Sequence, residues 1–152
     1  MERLDPNFAG FLRSLNSHGV EYLVIGGYAV GYHGFVRATG DLDVFVDVSE
    51  KNAAALVAAF HKFGLDLPEV RPELFLDEGK ILRIGVPPLR LEIFTRISGV
   101  AFAECFATRV EDDFDGLRVP FINLDNLLKN KAASGRPKDL ADLDALKGKN
   151  RG

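Results

Sequence analysis

The chain predicts an α/β or α+β fold: a sheet with helices packed largely on one side. Three observations carry that expectation. Short apolar runs with strand periodicity intermix with longer runs of helical periodicity, glycines and prolines punctuate the boundaries, and no linker, repeat or low-complexity tract interrupts the order. At 152 residues, 47% of them apolar, the chain has the size and composition of a single domain over residues 1–152 with one core, the closing helices at 124–147 belonging to the same unit.

The elements follow in order. Asp5-Pro6 caps and starts a helix in which Phe8, Phe11, Leu12 and Leu15 recur at helical spacing until His18-Gly19 ends it. Tyr22-Leu23-Val24-Ile25 is a short buried strand ended by Gly26-Gly27, and a short helix runs from Tyr28 to Phe35. Asp41 to Asp47 alternates as a strand does, and Ser49 caps an alanine-rich helix that runs to Phe63 and closes at Gly64. Lys80 to Gly85 and Leu89 to Thr95 form two antiparallel strands around Pro87-Pro88, and Leu117 to Phe121 adds another. Helices at Leu124 to Ala133 and Lys138 to Lys147 close the chain, divided by Ser134-Gly135-Arg136-Pro137. Leu140, Leu143 and Leu146 give the last helix an apolar face, and Lys138 with Asp142 is an i, i+4 pair.

Charge and cysteine usage exclude several classes. A net charge of -3 gives no global attraction to nucleic acid, although Lys129, Lys131, Arg136, Lys138, Lys147, Lys149 and Arg151 crowd the carboxyl-terminal part, whose last members suit a solvated tail. No apolar run reaches the ~20 residues that span a bilayer. The start Met1-Glu2-Arg3-Leu4-Asp5 is not that of a secretory signal, so a cytoplasmic protein without membrane contact is expected. Cys105 stands alone in an apolar stretch, which suits a buried small hydrophobe in a reducing compartment.

The chemistry gathers on the charged faces of two strands. Asp41 and Asp43 are two apart on one strand, so their side chains leave the same face about 6.7 Å apart at the backbone, while Leu42, Val44 and Val46 take the other face. In the later strand Leu89, Leu91 and Ile93 face one way and Arg90, Glu92 and Phe94 the other, which offers Glu92 as a third acid. Three nearby carboxylates repel one another, and a divalent cation relieves the repulsion; hard oxygen ligands without a Cys or His cluster favour Mg2+ or Mn2+ over zinc. From spacing alone, acids decorating a solvent-facing sheet account for the pattern equally well. Gly26-Gly27, at the mouth of a helix, offers bare backbone N–H groups to phosphate oxygens, and it equally suits a plain turn.

Taken together, Ile25-Gly26-Gly27, Asp41-Leu42-Asp43-Val44 and Leu91-Glu92-Ile93 resemble the signature of the polymerase-beta-like nucleotidyltransferase superfamily: an apolar-Gly-Gly, an acid-apolar-acid and a later strand acid. Gly26 to Val30 with His33, Arg37 and Thr39, and the tail from Lys131 through Arg136-Pro137-Lys138-Asp139 to Asp142, are similar to small bacterial nucleotidyltransferase-like proteins related to the abortive-infection AbiEii toxins. The resemblance covers residues from about 20 to 146. It implies the nucleotidyltransferase fold, with a mixed, antiparallel-rich sheet and helices mainly on one side. It implies Asp41, Asp43 and Glu92 as catalytic metal ligands, Lys131 and Asp139 as further catalytic residues, with Asp142 supporting them, and Gly26, Gly27, Arg37 and Thr39 as nucleotide-binding residues. The activity implied is Mg2+- or Mn2+-dependent transfer of a nucleoside monophosphate from a nucleoside triphosphate (ATP-type binding) to a hydroxyl on RNA such as tRNA, a protein or a small molecule. Two metals roughly 3.5–4 Å apart would clamp the attacking and leaving oxygens. A toxin–antitoxin or phage-defence role with a cognate partner is implied too, either with catalysis or as a non-catalytic partner-binding module; a plain nucleotide- or metal-binding domain is the remaining reading. His33 reads better as a packed or surface histidine than as a catalyst. The chain is about half as long as many of the toxins it resembles.

Overall fold

A computed structural model describes residues 4–36, 39–86 and 89–149. The elements run α1 (Pro6–Ser17), β1 (Tyr22–Ile25), α2 (Gly26–Tyr32), β2 (Asp41–Val46), α3 (Glu50–Phe63), α4 (Pro72–Phe75), β3 (Ile81–Val86), β4 (Leu89–Phe94), α5 (Phe102–Ala107), β5 (Val110–Phe114), β6 (Leu117–Phe121), α6 (Leu124–Ser134) and α7 (Pro137–Lys149). The fold is mixed α and β, with helices packed on a six-stranded sheet of order β3-β4-β2-β1-β6-β5. β2 pairs parallel with β4 and β1 parallel with β6, and the other three pairings are antiparallel, so the sheet is mixed and antiparallel-rich as expected. Among the described residues no helix is long and apolar enough to cross a membrane.

Local chemistry accounts for the boundaries. The Asp5 carboxylate accepts from the Asn7 N–H at 2.8 Å and Pro6 follows it, so α1 starts where an orphan donor is satisfied and a proline costs nothing. Its Phe8, Phe11, Leu12 and Leu15 are buried, with Phe11 edge-on to Phe60 of α3 at 5.0 Å between centroids. At the head of α3, Ser49 Oγ accepts from the Asn52 N–H, and Gly64 in the left-handed region ends the helix. Cys105 is fully buried in α5, where burial pushes its thiol up to about 11.

Three elements had no counterpart in the periodicity. α4 and α5 are single short turns with few residues to show a period. β5 reads Val-Glu-Asp-Asp-Phe, acids that make poor strand formers, yet it pairs in register with β6 at the sheet edge. Its signal lay in the turn: Asp115 and Gly116 both take positive φ, 53° and 84°, the two-residue geometry that joins hairpin strands. α2 begins two residues earlier than expected, on Gly26 itself, and ends at Tyr32 before the turn at His33-Gly34. The expected apolar face of α7 is also corrected. Leu143 and Leu146 are buried but Leu140 is 42% exposed, because the inward stripe is Asp139, Asp142, Leu143 and Leu146 at i, i+3, i+4 and i+7.

One side chain ties the start of α3 to the strands that carry the acids. Buried Asn52 accepts from the Glu21 N–H (2.8 Å) and donates to the carbonyls of Glu21 (3.1 Å) and Asp47 (2.9 Å), the residues flanking β1 and β2. Removing it leaves the Glu21 N–H and the Asp47 carbonyl short of a partner, while the Glu21 carbonyl keeps the Asp47 N–H at 3.4 Å. Asn52→Ala is expected to lower unfolding free energy by about 2 kcal/mol in a urea titration, with Asn52→Leu no better despite its apolar volume.

Candidate functional site

The site forms where strand register brings charged residues to one end of the sheet. In the parallel β2–β4 pair Asp41 stands opposite Arg90 and Asp43 opposite Glu92, so two acids on one strand meet one on its neighbour. Leu42, Val44 and Val46, with Leu91 and Ile93, fill the core from the other side of the same strands. One oxygen each from Asp41, Asp43 and Glu92 lies within 4.8 Å of the others. β1 runs antiparallel to β2 with Ile25 opposite Asp43, and so delivers Gly26 and Gly27 to the same end.

Sterics fix the two glycines. Gly26 has φ +66°, and a β-carbon there would stand 2.1 Å from Asp43 Oδ2; on Gly27 it would stand 2.8 Å from Thr39 Oγ1. Both positions therefore lose the side chain that any other residue would add. The Thr39 hydroxyl in turn accepts from the Asp41 N–H and donates to the Asp41 carbonyl, each at 3.3 Å, bracing the residue that begins β2. Arg37 lies outside the described residues.

The acids are unequally partnered. Asp41 Oδ2 accepts from Arg90 Nη2 at 3.0 Å, and the same nitrogen is 3.0 Å from Glu92 Oε1. Glu92 Oε2 is 3.6 Å from Arg83 Nε. Asp43 Oδ1, by contrast, is buried with no hydrogen-bond partner among the described residues. Burial, then the charges of Glu92 and Asp41, push the Asp43 carboxyl up to about 7, against a downward pull from Lys131 and Lys138.

A second cluster stands on α6 and α7. Lys131 is buried, with Nζ 2.9 Å from Asp139 Oδ1 and 3.2 Å from Asp142 Oδ2. Asp139 Oδ2 also accepts from the Ser134 hydroxyl and from Arg136 Nε at 2.9 Å. Burial works to raise the Asp139 carboxyl, but Ser134, Lys131 and Arg136 together outweigh it and hold it down at about 2. Lys131 and Asp139 are thus brought together, while the field of Lys131 reaches Asp43.

Both clusters border one cavity of about 900 Å3 whose wall includes Gly26, Gly27, Thr39, all three acids, Lys131 and Asp139. Arg83, Arg90, Arg96, Arg136 and Lys138 line it too, a cationic wall that the motifs had only half disclosed, since none of the three β-strand and loop arginines belongs to them. His33 is not on that wall: its Nε2 lies 2.7 Å from the Ile122 carbonyl, which requires that nitrogen to carry the proton, and burial lowers its pKa. Phe102 meets Phe45 edge-on at 5.1 Å and stacks on Phe106 at 5.2 Å, so these rings take part in packing within the chain.

No protein-family model matches this chain, and no curated protein matches it. Fold and site together define a mixed α and β protein with a three-carboxylate cluster at the end of its sheet, facing a cation-lined cavity.

The two shifted aspartates make opposite demands on pH. An ordinary aspartate titrates near 3.8; Asp43 at about 7 binds a proton in the folded chain that the unfolded chain has lost, so its contribution is present below about 4 and disappears as pH rises through 7. Asp43→Asn is expected to gain stability over the native chain across that window, by on the order of 4 kcal/mol at pH 8. Asp139 has the reverse sign: its contribution is full above about 4 and fades as pH falls toward 2. Asp139→Asn is expected to cost about 2 kcal/mol at pH 7, a difference that narrows as pH falls from about 4 toward 2. Urea midpoints of the three chains from pH 2.5 to 8 check both signs.

Proposed function

We propose that the protein is a metal-dependent nucleotidyltransferase that moves a nucleoside monophosphate from a nucleoside triphosphate to a hydroxyl on RNA, a protein or a small molecule, as a toxin–antitoxin or phage-defence component. The observation that carries this reading is the convergence of Asp41, Asp43 and Glu92 on one point, with the buried Asp43 Oδ1 left without a partner. Three hard oxygen donors, among them an orphaned carboxylate oxygen, fit Mg2+ or Mn2+ better than a softer ion. Asp41, Asp43 and Glu92 would hold it; when bound, such an ion polarises the α-phosphate and makes the acceptor hydroxyl more acidic.

The chain's own groups supply the rest. The cavity has the volume for a nucleotide, about 900 Å3, and its wall carries Arg83, Arg96, Arg136 and Lys138 to receive phosphate charge. Gly26 and Gly27, bare of side chains, let the phosphate chain approach the backbone beside Asp43. The acceptor oxygen bonds to the α-phosphorus as the bond to pyrophosphate breaks, the hydroxyl proton passes to Glu92, and the cationic wall takes the departing charge. Lys131 acts from behind: pinned by Asp139 and Asp142, it cannot swing freely, and its fixed positive field favours the ionised form of Asp43. Asp139 is thereby a positioning residue for Lys131.

Purified protein incubated with labelled triphosphates, Mg2+ and a cell extract is expected to transfer label to an acceptor. Asp41→Asn and Asp43→Asn are each expected to reduce it about a hundredfold or more. Thermal unfolding gives a check without an acceptor: at a hundredfold excess over its dissociation constant Mn2+ is expected to stabilise the native chain by about 2.7 kcal/mol, and Asp43→Asn hardly at all. Label transfer that stays at the native level in both variants sinks the proposal.

A further inference from the structure

The strand that supplies Glu92 also supplies a cation. Arg90 precedes Glu92 by two residues on β4 and stands opposite Asp41 in the parallel register, so its side chain leaves the sheet on the face of the acids. A single nitrogen, Nη2, lies 3.0 Å from Asp41 Oδ2 and 3.0 Å from Glu92 Oε1, bridging two of the three carboxylates that a divalent ion would share. On the neighbouring β3, Arg83 reaches the other Glu92 oxygen at 3.6 Å.

The bridge is incomplete on both sides. Arg90 Nε is buried and, among the described residues, donates to nothing, while Asp43 Oδ1 accepts from nothing. A guanidinium kept solely to hold strands together would be expected to use its fork of donors on available acceptors. Here the fork neutralises Asp41 and Glu92 and leaves one of its own donors and the third acid unsatisfied.

Resting on the metal-site reading above, we propose that Arg90 is an internal cation occupying the divalent-ion position between Asp41 and Glu92, and that it must be displaced before the ion binds. An ion seated between these two oxygens would stand where Arg90 Nη2 now stands, so each molecule holds one or the other there. Displaced, the guanidinium stays on the cavity wall with Arg83 and Arg96, where its free donor can meet an anionic ligand. Ion and anion are then linked, because the anion that draws Arg90 away uncovers the carboxylates for the ion.

Mn2+ affinity, followed by electron paramagnetic resonance on the full chain, tests the proposal. If the displaced state holds about a tenth of the molecules, the apparent affinity of the native protein is about tenfold below its intrinsic value. Arg90→Gln, which keeps hydrogen-bonding capacity but not the charge, is expected to bind Mn2+ about tenfold more tightly, and Arg90→Lys to stay near the native value. Equal or weaker binding by Arg90→Gln overturns the displacement while leaving the site in place. Failure of every chain to bind Mn2+ removes the site and the displacement together. Should Arg90→Gln not fold, the native protein still decides: saturating Mg2+ is expected to shift the side-chain Nε–H resonance of Arg90, and Mg2+ binding without that shift overturns the proposal.

Discussion

Three carboxylates set on adjacent strands repel one another, and the rest of the molecule is arranged around containing that repulsion. The parallel register of β2 and β4 imposes the proximity, since neighbouring strands lie only about 4.8 Å apart. Arg90 offsets two of the charges directly at 3.0 Å, and Asp43, walled in by Gly26, meets the remainder by holding its proton up to about pH 7. The core beneath has to be correspondingly firm. Leu42, Val44 and Val46 are fully buried on the opposite face of the same strand, so the acids cannot relax apart without opening apolar packing.

The second charged cluster obeys a different logic. On α7 two aspartates point inward in a stripe with Leu143 and Leu146, which would be prohibitive were Lys131 not buried between them. Ser134 and Arg136 complete the coordination of Asp139, so its oxygens are all used and its ionised form is favoured. One cluster is therefore saturated and stiff, the other short of partners. Lys131 joins them: the same ammonium that satisfies α7 exerts its field on Asp43.

Much of this was legible in the sequence because periodicity reports which face a side chain takes. Asp41 and Asp43 against Leu42 and Val44, and Glu92 against Leu91 and Ile93, sort to opposite faces as their spacing requires. What periodicity cannot report is which strands become neighbours. The parallel β2–β4 pairing, which makes Arg90 a partner of Asp41, joins segments on either side of α3, α4 and β3, and nothing local encodes it. Leu140 misled for a related reason: an apolar reading of α7 overlooks buried aspartates, since their burial depends on a lysine from another helix. β5 was obscured by its acids, although Asp115-Gly116 carried a hairpin signal that outweighed composition.

Gly26 brings out the difference between a motif and its physics. As a motif, the glycine pair points to a phosphate; in the structure the immediate demand on Gly26 comes from Asp43, whose Oδ2 lies where a β-carbon would stand. The two demands share one cause, a backbone that must be approached closely on the face of the acids. On the same side chain Asp43 Oδ1 is buried without a partner among the described residues, a cost to the fold that an apolar residue at position 43 would lessen. Stability alone offers no reason to keep an unpaired carboxylate at the end of a cation-lined cavity, beside two more carboxylates. A ligand that pairs with it does, and this mismatch between what the fold needs and what position 43 supplies is the strongest physical argument that the site binds something.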